Sequence, residues 1–297
     1  MLDMSDYGIG NTPLKELQPI NGNHIFIKLE QENYLGSIKA RTAYWIIKNL
    51  PKEAENKTVI ESTSGNLGLA LGFFCKETGR RFLCLVDETI ASSKLKRLEV
   101  AGIEYEIVEK KARLDFRSSR IKRAEELMAN GDYYWVNQYD NPYGIMAHRM
   151  TTAPEIWKQT NGKVTHVICP MGSCGTICGI SQFMKEQSQK IKICGVEPYG
   201  STIFGKDDAP YINVGVGLVG KPGNLLSSRA IIDMADTIVD AISIRCAQEL
   251  YHKYQLAVGV TSGMAYAEAL RIATKERNAF IVIIAPDGRE SYSEYLK

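Results

Sequence analysis

Lys39 lies between a strand-forming run, His24–Leu29, and a helix-forming run, Ala40–Asn49, within the stretch Lys28-Leu-Glu-Gln-Glu-Asn-Tyr-Leu-Gly-Ser-Ile-Lys-Ala-Arg41. Gly36 permits a tight turn and Ser37 is a good helix N-cap, so Lys39 falls in a first helical turn. Backbone N–H groups point outward there and anions collect. A lysine so placed reads either as a solvated side chain or as an amine of depressed pKa that forms a Schiff base. Three distant loops bear on the choice. Glu61-Ser-Thr-Ser-Gly-Asn66 follows a strand run and opens a helix run. Its hydroxyls (Ser62, Thr63, Ser64) and N–H groups suit a carboxylate, and Asn66 can bond an aromatic hydroxyl; plain N-capping also accounts for it. Gly172-Ser173-Cys174-Gly175-Thr176 offers two glycines and two hydroxyls before a helix, a nest-like cradle for phosphate. It is neither a Walker loop nor the dinucleotide fingerprint. Gly259-Val-Thr261-Ser262-Gly263 opens a further helix, as a cap or as a hydroxyl aimed at a ring nitrogen.

The elements that must position these residues alternate along the chain. Strand runs are read at His24–Leu29, Thr58–Glu61, Arg81–Val86, Glu104–Val108, Tyr133–Val136, Val164–Cys169, Lys192–Val196, Ile238–Val239 and Ala279–Ala285. Amphipathic helix runs lie between them, at Ala40–Asn49, Asn66–Thr78, Ser93–Ala101, Phe116–Asn130, Ala147–Thr160, Thr176–Glu186, Ser243–Gln255 and Met264–Lys275. Continuous apolar strands such as Phe280–Ala285 suit a parallel sheet covered on both faces, so the pattern predicts an α/β protein. The long Gly- and Pro-containing stretch from Glu197 to Asn224 predicts a functional loop.

Composition sets the outer limits. The chain has 297 residues, 44% hydrophobic and 24% charged, enough for a sizeable core in one large or two medium domains. A net charge of +2, with both signs interleaved, gives no case for nucleic acid or a membrane surface. Seven cysteines occur, at 75, 84, 169, 174, 178, 194 and 246, with no CxxC pair and no histidines at metal spacing. No metal site is expected. The N-terminus lacks signal-peptide character and no apolar run approaches about 18 residues, so a reduced, cytoplasmic protein is expected.

One lysine for an aldehyde, one cradle for a monophosphate, one asparagine for a ring hydroxyl and one hydroxyl for a ring nitrogen are together what pyridoxal 5'-phosphate needs. The chain resembles the fold-type-II pyridoxal-phosphate enzymes of the cysteine synthase and cystathionine β-synthase-like family. Ile9-Gly-Asn-Thr-Pro-Leu14 resembles its N-terminal motif, and Asn33…Gly36-Ser-Ile-Lys39…Arg41 its Schiff-base loop. Ser62-Thr-Ser-Gly-Asn66 resembles its substrate-carboxylate loop, and Asn137-Gln138-Tyr139 with Asn141-Pro142 and Ala147-His148 its second carboxylate segment. Gly195-Val-Glu-Pro198 and Gly215-Val-Gly217 match later landmarks, so the likeness spans nearly the whole chain.

The resemblance implies two three-layer αβα domains with parallel-rich twisted sheets, like the tryptophan synthase β chain. Residues 1–36 and 147–297 would form the larger, cofactor-binding domain, and 37–146 a smaller, mobile one that closes on substrate. It implies that Lys39 forms the internal Schiff base and acts as acid and base, and that Asn66 bonds the ring hydroxyl. Gly172, Ser173, Cys174, Gly175 and Thr176 would hold the phosphate, and Thr261 would face the pyridine nitrogen. Ser62, Thr63, Ser64 and Gln138 would bind the substrate's α-carboxylate. The implied reaction is β-elimination or β-replacement on a serine- or cysteine-type L-amino acid through an α-aminoacrylate. Sulfide, an amino acid or water would be the nucleophile, the last converting cysteine to serine with release of hydrogen sulfide. A homodimer is the expected assembly.

The chain departs from the family at Tyr34, where a proline is usual, at Ala40, where an aspartate is, and at Ser173-Cys174. The stretch around Glu61–Leu67 and the Arg41-Thr-Ala helix start resemble the branch that forms 2,3-diaminopropionate. Beyond Gly217 the chain is longer and more polar than a plain cysteine synthase suggests. There Lys221 or Arg229 is a candidate for a second carboxylate or a phosphate leaving group, and Asp233 for a catalytic residue orienting water or an amine. Two further readings stay open: a serine/threonine dehydratase-type lyase, and a catalytically inactive relative that binds partners.

Overall fold

The computed structural model describes residues 3–63, 65–213 and 215–296. Its strands are β1 (Leu14–Glu16), β2 (His24–Leu29), β3 (Thr58–Ser62), β4 (Phe82–Asp87), β5 (Glu104–Val108), β6 (Tyr133–Trp135), β7 (His166–Pro170), β8 (Lys192–Pro198), β9 (Met234–Ile238) and β10 (Phe280–Ala285). Its helices are α1 (Lys39–Lys48), α2 (Asn66–Glu77), α3 (Ser92–Val100), α4 (Phe116–Ala129), α5 (Pro142–Ala147), α6 (Ala153–Gln159), α7 (Gly175–Gln187), α8 (Gly223–Ser227), α9 (Asp240–Tyr254) and α10 (Val260–Lys275).

Two sheets organise these elements. The larger has the order β1-β2-β10-β7-β8-β9 and the smaller β5-β4-β3-β6. Every pairing is parallel except β1 with β2. The apolar strand runs are explained by cover on both faces. One face of the larger sheet packs on α9 and α10, through Leu250, Met264 and Ile272. Its other face packs on α6 and α7, through Ile156, Ile177 and Met184. The smaller sheet lies between α1, α2 and α3 on one side and α4 on the other. The architecture is therefore α/β, with two three-layer stacks.

Three details differ from the sequence reading. The strand expected at Ile238–Val239 is Met234–Ile238, an edge strand whose half-exposed, polar sequence hides it. The antiparallel β1 was not foreseen, being three residues on the opposite edge. The helix expected at Ala147–Thr160 is α5, then a π-helical turn at His148–Thr152, then α6. Pro154 cannot donate its backbone N–H into the ladder, which accounts for a wide turn just before it.

Among the described residues, no helix is long and apolar enough to cross a membrane. None of their His, Cys, Asp and Glu side chains form a cluster suited to a metal ion. All seven cysteines are free and buried.

Candidate active site

The carboxyl ends of parallel strands are where open α/β sheets leave room for ligands. Here the ends of both sheets face one cleft of about 600 Å3. Lys39, Thr63, Asn66, Gln138, Gly172, Ser173 and Thr261 all line it.

Lys39 enters at the start of α1. Gly36 turns at φ +76, and Ser37, fully extended, accepts the Lys39 N–H on its hydroxyl at 3.3 Å. The cap position itself is Ile38, already helical and without a side-chain cap bond, so Ser37 supports the helix start from one residue before the cap that its type suggested. Ile38 N donates to Pro286 O at 2.9 Å, and Ser37 bridges Asp287, so the loop is stitched to the end of β10. No hydrogen bond holds the Lys39 ammonium among the described residues. Burial pushes its pKa below the usual lysine range, against the pull of Asp287 and Glu61.

Behind this loop lies a buried ion network. Arg41 donates to both oxygens of Glu30, at 2.7 and 2.9 Å, and to both of Glu155, at 2.7 and 2.8 Å. Lys28 bonds Glu155 at 2.7 Å, Gln159 at 2.9 Å and Thr12 O at 2.6 Å. Thr12 and Asn33 also bond Glu30, and Asn33 receives the Gly10 N–H. The N-terminal motif and the lysine loop are therefore one hydrogen-bonded unit. Two cations meet two anions, which satisfies charges that would otherwise be very costly to bury.

The phosphate-type loop runs from Gly172 to Thr176 between β7 and α7. A Cβ on Gly175 would meet Gly144 O at 3.1 Å, so a side chain is sterically unwelcome there, whereas one on Gly172 would make only ordinary contact with Val216 Cα at 3.4 Å. Cys174 holds φ +60, a left-handed conformation that opens N–H groups toward a ligand. Its thiol is buried, and burial raises its pKa far above the usual range, so it is an inert filler. Thr176 shares His148 Nε2 with Thr42 of α1, each at 3.2 Å. Burial, with the charges of Arg41 and Lys39, lowers the His148 pKa well below 6.5 and keeps the imidazole neutral.

Gln138 N donates to Glu61 Oε2 at 3.1 Å, and its side-chain amide donates to Ser62 O at 3.2 Å. Burial pushes the Glu61 carboxyl up to about 7, against these bonds. Ser62 itself is fully buried at the end of β3 and its hydroxyl has no partner among the described residues; it does not line the cleft. Ser64 lies outside the described residues.

Asp287 is the main residue that sequence reasoning missed. It accepts from Thr261 Oγ1 at 3.1 Å, Asn66 Nδ2 at 3.2 Å and Tyr292 OH at 3.4 Å. Burial raises its pKa, and Lys94 and these donors oppose the rise. The Pro286-Asp287-Gly288 turn directly after the β10 run was the available signal.

The structure takes three further candidates, besides Ser62, out of the cleft. Asp233 accepts the Ile193 N–H at 2.8 Å and pairs with Lys185 at 2.7 Å, so it is a structural anchor between α7 and the sheet edge. Lys221 is exposed, stacked over Phe204. Arg229 is exposed, beside a different groove.

The donor set fits a phosphorylated pyridine: a glycine-containing loop tight against a Cβ at Gly175, an unbonded half-buried amine, a buried hydroxyl and an amide facing one space. The model for "Pyridoxal-phosphate dependent enzyme" matches residues 6–287, and the chain belongs to that family. Within it, the chain is 34% identical over 291 residues to cysteine synthase B of Escherichia coli (strain K12), covering 96% of this chain and 92% of that one. It also superposes on solved structures. An O-acetylserine dependent cystathionine β-synthase from Helicobacter pylori matches at TM-score 0.90 and 29% identity, over 99% of this chain and 97% of that one. A hydrogen sulfide-producing enzyme from Fusobacterium nucleatum matches at TM-score 0.89 and 28% identity, over 98% of both chains. The protein is thus a pyridoxal-phosphate enzyme of the β-replacing kind.

Proposed function

We propose that this enzyme replaces the β-substituent of a serine-type L-amino acid, with sulfide as nucleophile. The single observation that carries the reading is the convergence of Lys39, Thr63, Gln138 and the Gly172–Ser173 loop on one cleft. Pyridoxal phosphate, when bound, supplies the electron sink that loosens the α-hydrogen and the β-substituent. The chain's own residues do the rest. Lys39 anchors the cofactor and, released from it, takes the α-proton on Nζ; its depressed pKa favours the neutral amine that this requires. Thr63, Gln138 and the N-terminus of α2 hold the substrate's α-carboxylate, which orients the α-hydrogen toward Lys39. The loop 172–176 and the N-terminus of α7 hold the cofactor's phosphate. Asn66 meets the ring hydroxyl and Thr261 the ring nitrogen. A neutral hydroxyl at that nitrogen makes a weaker electron sink than a carboxylate would, which favours expelling a β-substituent over transamination.

Residues 37–146 form the mobile half that closes over substrate, 1–36 and 147–297 the cofactor-binding half, and the enzyme works as a cytoplasmic homodimer. A β-replacement enzyme turns O-acetylserine and sulfide into cysteine. An amino acid or water in place of sulfide yields a different product in the same assay. Keto acid and ammonia from serine or threonine, with no product carrying the added nucleophile, overturn the proposal. Lys39→Ala removes the visible absorption band of the attached cofactor and lowers turnover by several orders of magnitude. An unchanged band or rate refutes the assignment of Lys39.

A further inference from the structure

Asp287 lines the cleft, is buried, and touches two of the residues assigned to the cofactor ring. Its backbone is fixed on two sides. Gly259 N donates to Asp287 O at 3.0 Å, and Ser37 pairs with Asp287 in an isolated bridge. Gly259 also leaves the side chain its room. A Cβ there would stand 2.5 Å from Asp287 Oδ1 and 2.4 Å from Tyr292 Cε2, closer than Cβ atoms come. Asp287 Oδ1 accepts from Thr261 Oγ1 at 3.1 Å, while Oδ2 accepts from Asn66 Nδ2 at 3.2 Å and Tyr292 OH at 3.4 Å. Three donors converge on it, as they do on an ionised carboxylate, which can only accept. Lys39 and Lys94 add opposite charge, against the rise that burial imposes on its pKa. A threonine hydroxyl has one proton and two lone pairs. The Tyr292 hydroxyl is also within reach of Thr261, but a carboxylate is the stronger acceptor and takes the proton. Only lone pairs of Thr261 then remain to face a ring nitrogen. They attract an N–H and repel a bare nitrogen lone pair.

We infer that Asp287 is a positioning residue that acts on the cofactor through Thr261: by taking the threonine's proton it turns the hydroxyl into an acceptor and holds the pyridine nitrogen protonated. The same carboxylate takes one N–H of the Asn66 amide and leaves the other for the ring hydroxyl. One buried anion thus sets both polar contacts along one edge of the ring. A hydroxyl backed by a carboxylate makes the ring a stronger electron sink than a hydroxyl alone, and a weaker one than a carboxylate in direct contact. The inference rests on the reading in which Thr261 meets the ring nitrogen, and it adds the protonation state of that nitrogen.

The test loads the enzyme with pyridoxal phosphate that carries an isotopic label on the ring nitrogen. It follows the NMR chemical shift of that nitrogen with pH, since the signal lies far upfield when the nitrogen bears a proton. The wild type is expected at the protonated position at neutral pH. Asp287→Asn keeps an oxygen that can accept from Thr261 but removes the charge. It is expected to lower the pH at which the ring nitrogen loses its proton by about one to two units, the effect of one neighbouring charge. Thr261→Val removes the hydroxyl between the two, so in that background Asp287→Asn moves the titration much less. A wild-type signal at the neutral position at neutral pH overturns the inference without any variant. An unchanged titration in Asp287→Asn overturns it too. An equal displacement with and without the hydroxyl makes Asp287 a bare neighbouring charge and overturns the route through Thr261. If Asp287→Asn does not fold, Thr261→Val decides: a titration moved to lower pH supports the route, and an unmoved one overturns it. A wild type that takes up no cofactor and stays colourless fails the cofactor reading itself, and the inference falls with it.

Discussion

Arg41 and Arg120 are both buried arginines within reach of carboxylates, yet their surroundings are opposite. Arg41 spends its fork on four oxygens of Glu30 and Glu155, all at 2.7 to 2.9 Å. Arg120 has one carboxylate nearby, poorly aligned, and two N–H-bearing atoms with nothing to bond among the described residues. The first arrangement is complete in the protein alone and fixes the shape of the lysine loop. The second is incomplete and borders open space in the cleft. A buried charge that is satisfied belongs to the fold, and one that is not marks where a ligand is expected.

Stability measurements can break this contrast. Arg41→Met leaves Glu30 and Glu155 buried without their principal partner and is expected to cost about 3–5 kcal/mol in denaturant unfolding. A loss under about 1 kcal/mol would remove the distinction. Acid reaches the same network. Arg41 and Lys28 lower the Glu155 carboxyl from 4.5 to about 2, so its contribution is full above about 4.5 and is lost as the pH falls toward 2. That difference is worth about 3 kcal/mol, and Glu155→Gln should flatten the stability profile across this window. Arg120→Met removes a cation with few bonds to lose, so the expected cost is under about 2 kcal/mol, visibly smaller than at Arg41. Arg149, paired with Glu186 across two well-exposed side chains, sets the floor: Arg149→Ala should cost less than about 1 kcal/mol.

The two clusters also differ in how readable they are from the chain. Gly10, Thr12, Asn33 and Arg41 sit in short motifs, and so do the glycine loops, because a tight turn before a helix is a local requirement. The alternation of buried runs likewise exposed most strands and helices. Arg117 and Arg120 lie on a helix rich in charge, where nothing local separates them from Arg123 or Lys122. Only the placing of α4 against β3, β4 and β6 brings them to the cleft. Asp233 failed for the converse reason. Its polar surroundings looked like a loop near the site, but Met234–Ile238 pairs with β8 and turns that aspartate toward Lys185. Asp287 follows a strand that was read correctly, and only its three donors, from α2, α10 and the C-terminal segment, reveal its place.

The stitch between the lysine loop and the β10 end has a mechanical consequence. Ile38 bonds Pro286, while two residues on α1 begins to pack into the core of the smaller sheet. Lys39 therefore stands where the end of β10 in the larger sheet meets the first helix packed on the smaller one. A rotation about this point displaces residues in proportion to their distance from it, as with a lever. Closure of residues 37–146 about this point, as proposed above, would leave the amine that meets the cofactor almost in place while parts of that half farther from it travel more.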